Sequence, residues 1–264
     1  MSRPAPALDV RSDICWSDET SVTVLGRDLS TELIGSVDLG TFAHLLLTER
    51  MPSPAEATLF NAALVSLVEH GVTPNVLATR MTYLGAPESL QGAVAAGLLG
   101  LGTRFVGTIE GSARYLADGL DALGPEPTDD AVRAEAARIV AGFREQRAHV
   151  PGVGHPVHTP IDPRAEALLG LADRLDFPST AGRLVRAVAA AASEASGRHL
   201  PVNATGAIGV CVVLLGVDWR IARGMGVIAR TIGLVGHLRE ELAQPIATTV
   251  WNVADESASR HLRD

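Results

Sequence analysis

Four side chains in this 264-residue chain have the right types to act on a small, carbonyl-bearing polyanion: His70, His155, Arg164 and Arg230. His155 sits in the stretch Pro151–Arg164, PGVGHPVHTPIDPR. Gly152 and Gly154 open backbone angles closed to other residues and let a ligand come close to the chain, while Pro156, Pro160 and Pro163 stiffen the rest of the stretch. Asp162 then reads as a helix N-cap with Pro163 at the first helical position. That puts Arg164 in the first turn, where the helix dipole disfavours a cation and an anionic partner is expected. The same stretch also reads as an ordinary inter-helix loop with a surface arginine. His70 falls at the end of a helix that stops at Glu69-His70-Gly71, a place that favours a protonated imidazole and that a plain capping histidine also occupies. Farther on, Arg230, Gly233 and His237 share one helical face. An arginine on such a glycine-lined face is either buried in an ion pair or open to an anionic ligand. Asn203-Ala204-Thr205-Gly206 starts a very apolar helix. Its free amides could hold an anion, or Thr205 could simply cap it.

The elements that must position these groups are nearly all helices. Thr20–Leu25 alternates, is β-branched and could turn back through Gly26-Arg27-Asp28 as a small hairpin. No other segment reads as a strong strand. Helical periodicity runs over Asp38–Arg50, then from Ser53 through a Ser53/Glu56 capping box to His70. It continues over Asn75–Leu84, Glu88–Leu101, Glu110–Leu123, Thr128–Ala148, Arg164–Leu175, Ser179–Ser196, Gly206–Leu215 and Trp219–Leu242. The last of these carries Gly224, Gly226, Gly233 and Gly236. An interior glycine costs roughly 1 kcal/mol against alanine, so four of them predict close approach by a neighbour. Ala243–Asp264 reads as an irregular tail, and Gly124-Pro125-Glu126-Pro127 as a break and candidate hinge.

Composition narrows the function. The chain is 47% hydrophobic with ten aromatic residues, so its core is aliphatic. A net charge of −8 and a pI near 5.5 argue against a nucleic-acid surface. Cys15 and Cys211 lack metal-ligand spacing, and Cys211 reads as a core residue. The N-terminus lacks an apolar segment of signal-peptide length, and the run Ile208–Val217 is too short to span a bilayer. The expectation is a cytoplasmic protein that binds neither membrane nor metal. Walker, GxGxxG, HExxH, CxxC and GxSxG patterns are missing.

The segments LVEHG (67–71), LQGAVAAGLLGLGTRFVG (90–107), GVGHPVHTPIDPR (152–164), NATGAIGV (203–210) and ARTIGLVGH (229–237), in this order, resemble the citrate synthase superfamily. The nearer likeness is to its short members, the citryl-CoA lyases and the citryl-CoA lyase portion of ATP-citrate lyase, and it runs from about Val22 to about Leu242. The resemblance implies an all-α, citrate synthase-like fold with a large and a small helical domain. Residues 1–19 would be an arm, 20–124 and 206–264 the two parts of the large domain, and 125–205 the small domain closing over the cleft. It also implies a homodimer, for which the Ala- and Gly-rich helix 88–101 would suit the interface. His70 and His155 match the histidines that hold and polarise the oxo-acid carbonyl. Arg164 and Arg230 match the arginines that clamp carboxylates, with His237 and Asn203 as further substrate-binding candidates. Gly152, Val153, Gly154, Pro156, Val157 and His158 match the loop lying against coenzyme A, which would enter as an acyl-CoA thioester beside a di- or tricarboxylate.

Three departures stand out. Thr205 occupies the place of the family aspartate that moves the proton at the thioester α-carbon. Phe105-Val106 occupies the neighbourhood of the histidine with which synthases stabilise the enolate. Pro156 stands where ATP-citrate lyase has a basic residue. A threonine hydroxyl is no carboxylate base near neutral pH, and general acid–base help contributes roughly 10²–10⁴-fold. Among the carboxylates, Asp162 could substitute but reads better as a helix cap, and Glu69 and Glu110 are weaker candidates. Three readings remain: a citryl-CoA lyase-like carbon–carbon lyase, a condensing acyltransferase or thioesterase on another acyl-CoA, and a non-catalytic acyl-CoA-binding homologue.

Overall fold

The computed structural model describes residues 10–155 and 158–263, so Pro156 and Val157 of the expected coenzyme A loop, and most of the 1–19 arm's first half, lie outside the described residues. By internal packing the chain divides into residues 1–57 and 58–264.

In the first unit the expected hairpin is present and gains a strand. Strands β1 (Cys15–Ser17), β2 (Val22–Val24) and β3 (Arg27–Asp28) form an antiparallel sheet in the order β1-β2-β3. Gly26 takes φ +78° in the turn between the last two. A single π-helical turn, Leu29–Leu33, and helix α1 (Leu39–Thr48) complete it, with Asp38 capping α1 through the Thr41 amide at 2.6 Å. Val24, Leu33 and Leu45 form its small core. Helix α2 (Pro54–Val68) runs across the division. Its capping box forms in both directions, Ser53 N–H donating to Glu56 at 2.8 Å and Glu56 N–H to Ser53 Oγ at 3.2 Å.

The second unit is helical among its described residues: α3 (Pro74–Gly85), α4 (Leu90–Leu99), α5 (Gly107–Leu123), α6 (Asp129–Glu145), α7 (Pro163–Arg174), α8 (Thr180–Ser196), α9 (Ala204–Leu214), α10 (Arg223–Ala243) and α11 (Ala247–Ser259). α9 is apolar on every side and is buried from Gly206 to Val212, as a central helix must be. Helices α5, α7 and α8 pack against it. α3, α4 and α10 pack together through Val76, Ala93, Val94, Leu234 and Leu238.

Three expectations change. The tail is not irregular, because α11 forms there. Its first turn is capped from a distance, with Glu241 accepting the Ile246 and Ala247 amides at 3.1 and 2.9 Å. Thr205 is not the cap of α9. Asn203 is, because its side chain accepts the Thr205 and Gly206 amides, and α9 starts two residues earlier than expected. Of the four glycines in α10, only Gly226 and Gly233 meet a neighbour. A Cβ on Gly226 would overlap Val106 and one on Gly233 the Val68 carbonyl, whereas Gly224 and Gly236 face open space.

Candidate active site

His70 is presented by the turn that ends α2, and two side chains brace that turn. Glu69 Oε1 accepts the His70 and Gly71 amides at 2.8 and 2.7 Å. Arg230, 5% exposed on α10, spans the turn, donating to the Val68 carbonyl at 2.9 Å and to Thr73 Oγ1 at 3.4 Å. Gly233, one turn farther along α10, is what lets the two segments touch. The face shared by Arg230, Gly233 and His237 is therefore the face against the His70 turn.

The glycine-rich loop supplies His155, and it rests on the N-terminus of α9. Gly152 and Gly154 both take φ +80°. Gly152 lies so close to Gly206 that a side chain on either would collide with the other's backbone. Asn203 ties the two together, its N–H donating to the Gly152 carbonyl at 3.0 Å and its Nδ2 to the Gly154 carbonyl at 2.7 Å. Asp162 adds a second tie. It caps α7 by accepting the Arg164 amide at 3.0 Å, and it accepts the Ala204 amide of α9 at 2.9 Å. Fully buried, it also takes the Arg164 guanidinium in a two-point ion pair at 3.1 and 2.9 Å. Burial works against that carboxylate, but the Arg164 hydrogen bond and the Ala204 amide outweigh it and hold its pKa at about 2. Asp162 is thus an ionised anchor and a poor proton carrier.

His155 and His70 come together, with ring centroids 6.1 Å apart, and His158 stacks on His155 at 4.6 Å. The His158 amide donates to His155 Nδ1 at 2.9 Å. A nitrogen that accepts an N–H carries no proton, so neutral His155 is protonated on Nε2. Arg164 Nη2 also reaches His155 Nε2, at 3.5 Å a longer contact than the His158 amide makes to Nδ1, so the guanidinium lies directly against the ring. Both rings titrate below the ordinary 6.5. For His70 the causes are partial desolvation, then Arg164, His158 and Arg230. For His155 they are desolvation, then His158. Arg164 and Arg230 thus both act on the His70 ring, which lies 6.1 Å from His155.

The remaining expected residues have other neighbours. His237 stands between Glu69 Oε2 at 3.0 Å and Arg80 Nη2 at 2.8 Å. Asn203 is engaged by α9 and the loop. The Thr205 hydroxyl donates to Asn203 Oδ1 at 2.7 Å, and its carbonyl accepts from Ser112 on α5. Glu110 pairs with Arg223 at 2.8 Å. Val106 is packed on Gly226, and Phe105 is exposed. Among the described residues no cluster of three or more His, Cys, Asp or Glu could hold a metal ion, and no helix is long and apolar enough to cross a membrane. Sequence reasoning missed Arg80, which is fully buried and paired with Glu241 at 2.7 Å and with Glu240. Its signal was present: Arg80 lies four residues after Val76, on the apolar stripe of α3.

Fold and site together define a helical protein with a donor-rich histidine–arginine centre backed by a buried apolar helix. Residues 32–248 match the citrate synthase C-terminal domain, and the chain belongs to the citrate synthase family. Its fold matches the citryl-CoA lyase of Hydrogenobacter thermophilus with a TM-score of 0.79 at 28% identity, covering 89% of this chain and 88% of that one. The ATP citrate lyase of Methanothrix soehngenii, solved with citrate and coenzyme A, has the same fold at a TM-score of 0.73 and 21% identity, over 92% of this chain and 40% of that one. The probable ATP-citrate synthase subunit 1 of Schizosaccharomyces pombe is 29% identical over 234 residues, 81% of this chain. The chain spans 36% of that protein and 38% of an Arabidopsis thaliana ATP-citrate synthase beta chain.

Proposed function

We propose that the chain is a citryl-CoA lyase-like carbon–carbon lyase, cleaving a 3-hydroxy-acyl-CoA to acetyl-CoA or another acyl-CoA and an oxo acid. The observation that carries this reading is the placement of the His155 imidazole beside both His70, with ring centroids 6.1 Å apart, and the Arg164 guanidinium, 3.5 Å from its Nε2. An imidazole and a guanidinium held side by side are the groups that a ketone oxygen and a carboxylate require as the bond breaks. His70, kept neutral by its surroundings, takes the proton of the substrate hydroxyl. The electrons of the broken carbon–carbon bond pass to the acyl α-carbon as a thioester enolate, and the new ketone oxygen faces His155. Arg164 and Arg230 hold the carboxylates. The enolate takes its proton from water, and the proton on His70 neutralises the hydroxide left behind. The Gly152–His158 loop holds the coenzyme A portion, segment 125–205 closes over the bound substrate, and the chain works as a cytoplasmic homodimer.

One observation favours a second reading. Thr205 spends its only proton on Asn203, so it presents lone pairs alone and cannot protonate a carbanion. A homologue that binds acyl-CoA without cleaving it would show the same wiring. The test is to incubate the protein with citryl-CoA and follow the products by mass spectrometry. Acetyl-CoA and oxaloacetate formed by wild type, lost in His155→Ala and accelerated by roughly 10²-fold or more in Thr205→Asp, support the lyase. Binding without turnover in both wild type and Thr205→Asp supports the second reading.

A further inference from the structure

We infer that Glu69 is a positioning residue that fixes His70 and Arg230 relative to each other, and that the buried Arg80–His237 pair holds Glu69 in place. The inference rests on the reading of His70 and Arg230 as substrate-facing groups and adds a part to it.

The two oxygens of Glu69 do different work. Oε1 accepts both amides of the turn that carries the imidazole, His70 at 2.8 Å and Gly71 at 2.7 Å. Oε2 faces the α10 cations and donors, His237 Nε2 at 3.0 Å and Arg230 Nη1 at 3.8 Å. One carboxylate therefore joins the end of α2 to the α10 face that carries the second arginine. The two Oε1 hydrogen bonds to the turn amides are of the strong, charge-assisted kind, whereas Oε2 meets the α10 face by close charge contact without a hydrogen bond.

His237 sets the direction of the joint. Arg80 has no acceptor to offer, so its 2.8 Å contact to His237 Nδ1 makes that nitrogen the acceptor. The proton of neutral His237 is then on Nε2, the nitrogen 3.0 Å from Glu69 but not aligned for a hydrogen bond to it. Arg80 is in turn held by Glu241 and Glu240 on α10 and is itself fully buried. The chain of contacts Glu241–Arg80–His237–Glu69 ends on the backbone of His70. An acidic residue next to a catalytic histidine reads in sequence as a spare proton carrier. Here its carboxylate is occupied on both sides and held in its charged form: burial works against the charge, but His237 and the His70 amide outweigh it.

The experiment compares wild type, Glu69→Gln and Glu69→Ala by three readouts: amide hydrogen exchange, ¹⁵N NMR of histidine-labelled protein, and citryl-CoA kinetics. In Glu69→Ala the His70 and Gly71 amides should exchange about tenfold faster or more, a change that loss of two hydrogen bonds allows. Its kcat should fall about 100-fold, as displacement of a catalytic group by about 1 Å does, with KM for citryl-CoA nearly unchanged. Glu69→Gln keeps a carbonyl for the amides but sets an NH₂ against two donors. It should retain amide protection and still lose about tenfold in kcat, an effect that a purely structural role for the turn would not give. Wild-type His237 should appear as the Nε2–H tautomer. An unchanged exchange rate at residues 70 and 71 in Glu69→Ala, or His237 protonated on Nδ1, overturns the inference. If wild type does not turn over citryl-CoA, the lyase reading fails by itself, and exchange and tautomer still decide this one.

Discussion

Arg164 and Arg230, both proposed as carboxylate-binding groups, are held in opposite ways. Arg164 is tied at two points to a buried, ionised carboxylate, and the same carboxylate caps α7 and anchors α9. Arg230 is held by neutral groups, the Val68 carbonyl and Thr73 Oγ1, with the nearest Glu69 oxygen 3.8 Å away. The first arrangement fixes geometry and offsets part of the charge. The second fixes geometry and leaves charge for a ligand. An arginine read from sequence as an anion site can thus also be a strut, and what separates the two cases is how tightly an acid holds it: Asp162 by two hydrogen bonds at 3.1 and 2.9 Å, Glu69 only from 3.8 Å. Aspartate two residues before an arginine at a helix start is the local form of the strut.

This contrast predicts effects of different kinds at the two ends. The largest should come from Asp162→Ala, which removes the cap of α7, strands a partly buried guanidinium and leaves the Ala204 amide unpaired. Breaking a buried pair by deleting one partner costs roughly 3–5 kcal/mol, and urea unfolding should show a loss of that size. A loss under about 1 kcal/mol would mean that Arg164 is no strut. Arg230→Ala comes next and should act on binding more than on folding. Its kcat/KM with citryl-CoA should drop about 100-fold, about 3 kcal/mol of transition-state stabilisation, and by more than in Arg164→Ala. Equal losses in the two variants would erase the distinction.

Much of the frame was legible in the chain, for local reasons. The Ser53/Glu56 box, the Asp38 cap and the Asp162-Pro163 start all use partners within three residues, so pattern alone finds them. What escaped depends on partners far away in sequence. The start of α11 is capped by Glu241 from the preceding helix, and its Thr-Thr-Val opening is a poor helix signal by itself. Thr205 and Asn203 are both good capping types. The choice between them is made by the Gly152 carbonyl, which holds Asn203 extended. Arg80 finds Glu241 across 161 residues. Motif order singled out the two histidines and two arginines as candidates. The quenching of Arg164 by Asp162 was half visible, because the aspartate was read as a cap and not also as a counter-ion.

The smallest expected effect is a titration shift, and it tests the contrast most closely. Both imidazoles have folded pKa values below 6.5. Between those values and 6.5 the unfolded chain binds more protons than the folded one. The stability they contribute is therefore present above pH 6.5 and is lost as pH falls through the folded values. If neutral His70 is the base, the acid limb of kcat/KM also lies below pH 6.5. Arg164 lowers both imidazoles, while Asp162 raises both. Arg164→Gln should then raise both values, because it removes a cation and leaves the Asp162 charge uncompensated. Arg230→Gln should raise His70 more than His155, since Arg230 is among the main charges acting on the first ring and is not among those acting on the second. NMR titration of the two imidazoles reads this directly. A rise at His155 in Arg230→Gln equal to that at His70 would mean that the two arginines act on a single undivided field, and the strut-and-ligand distinction would fail.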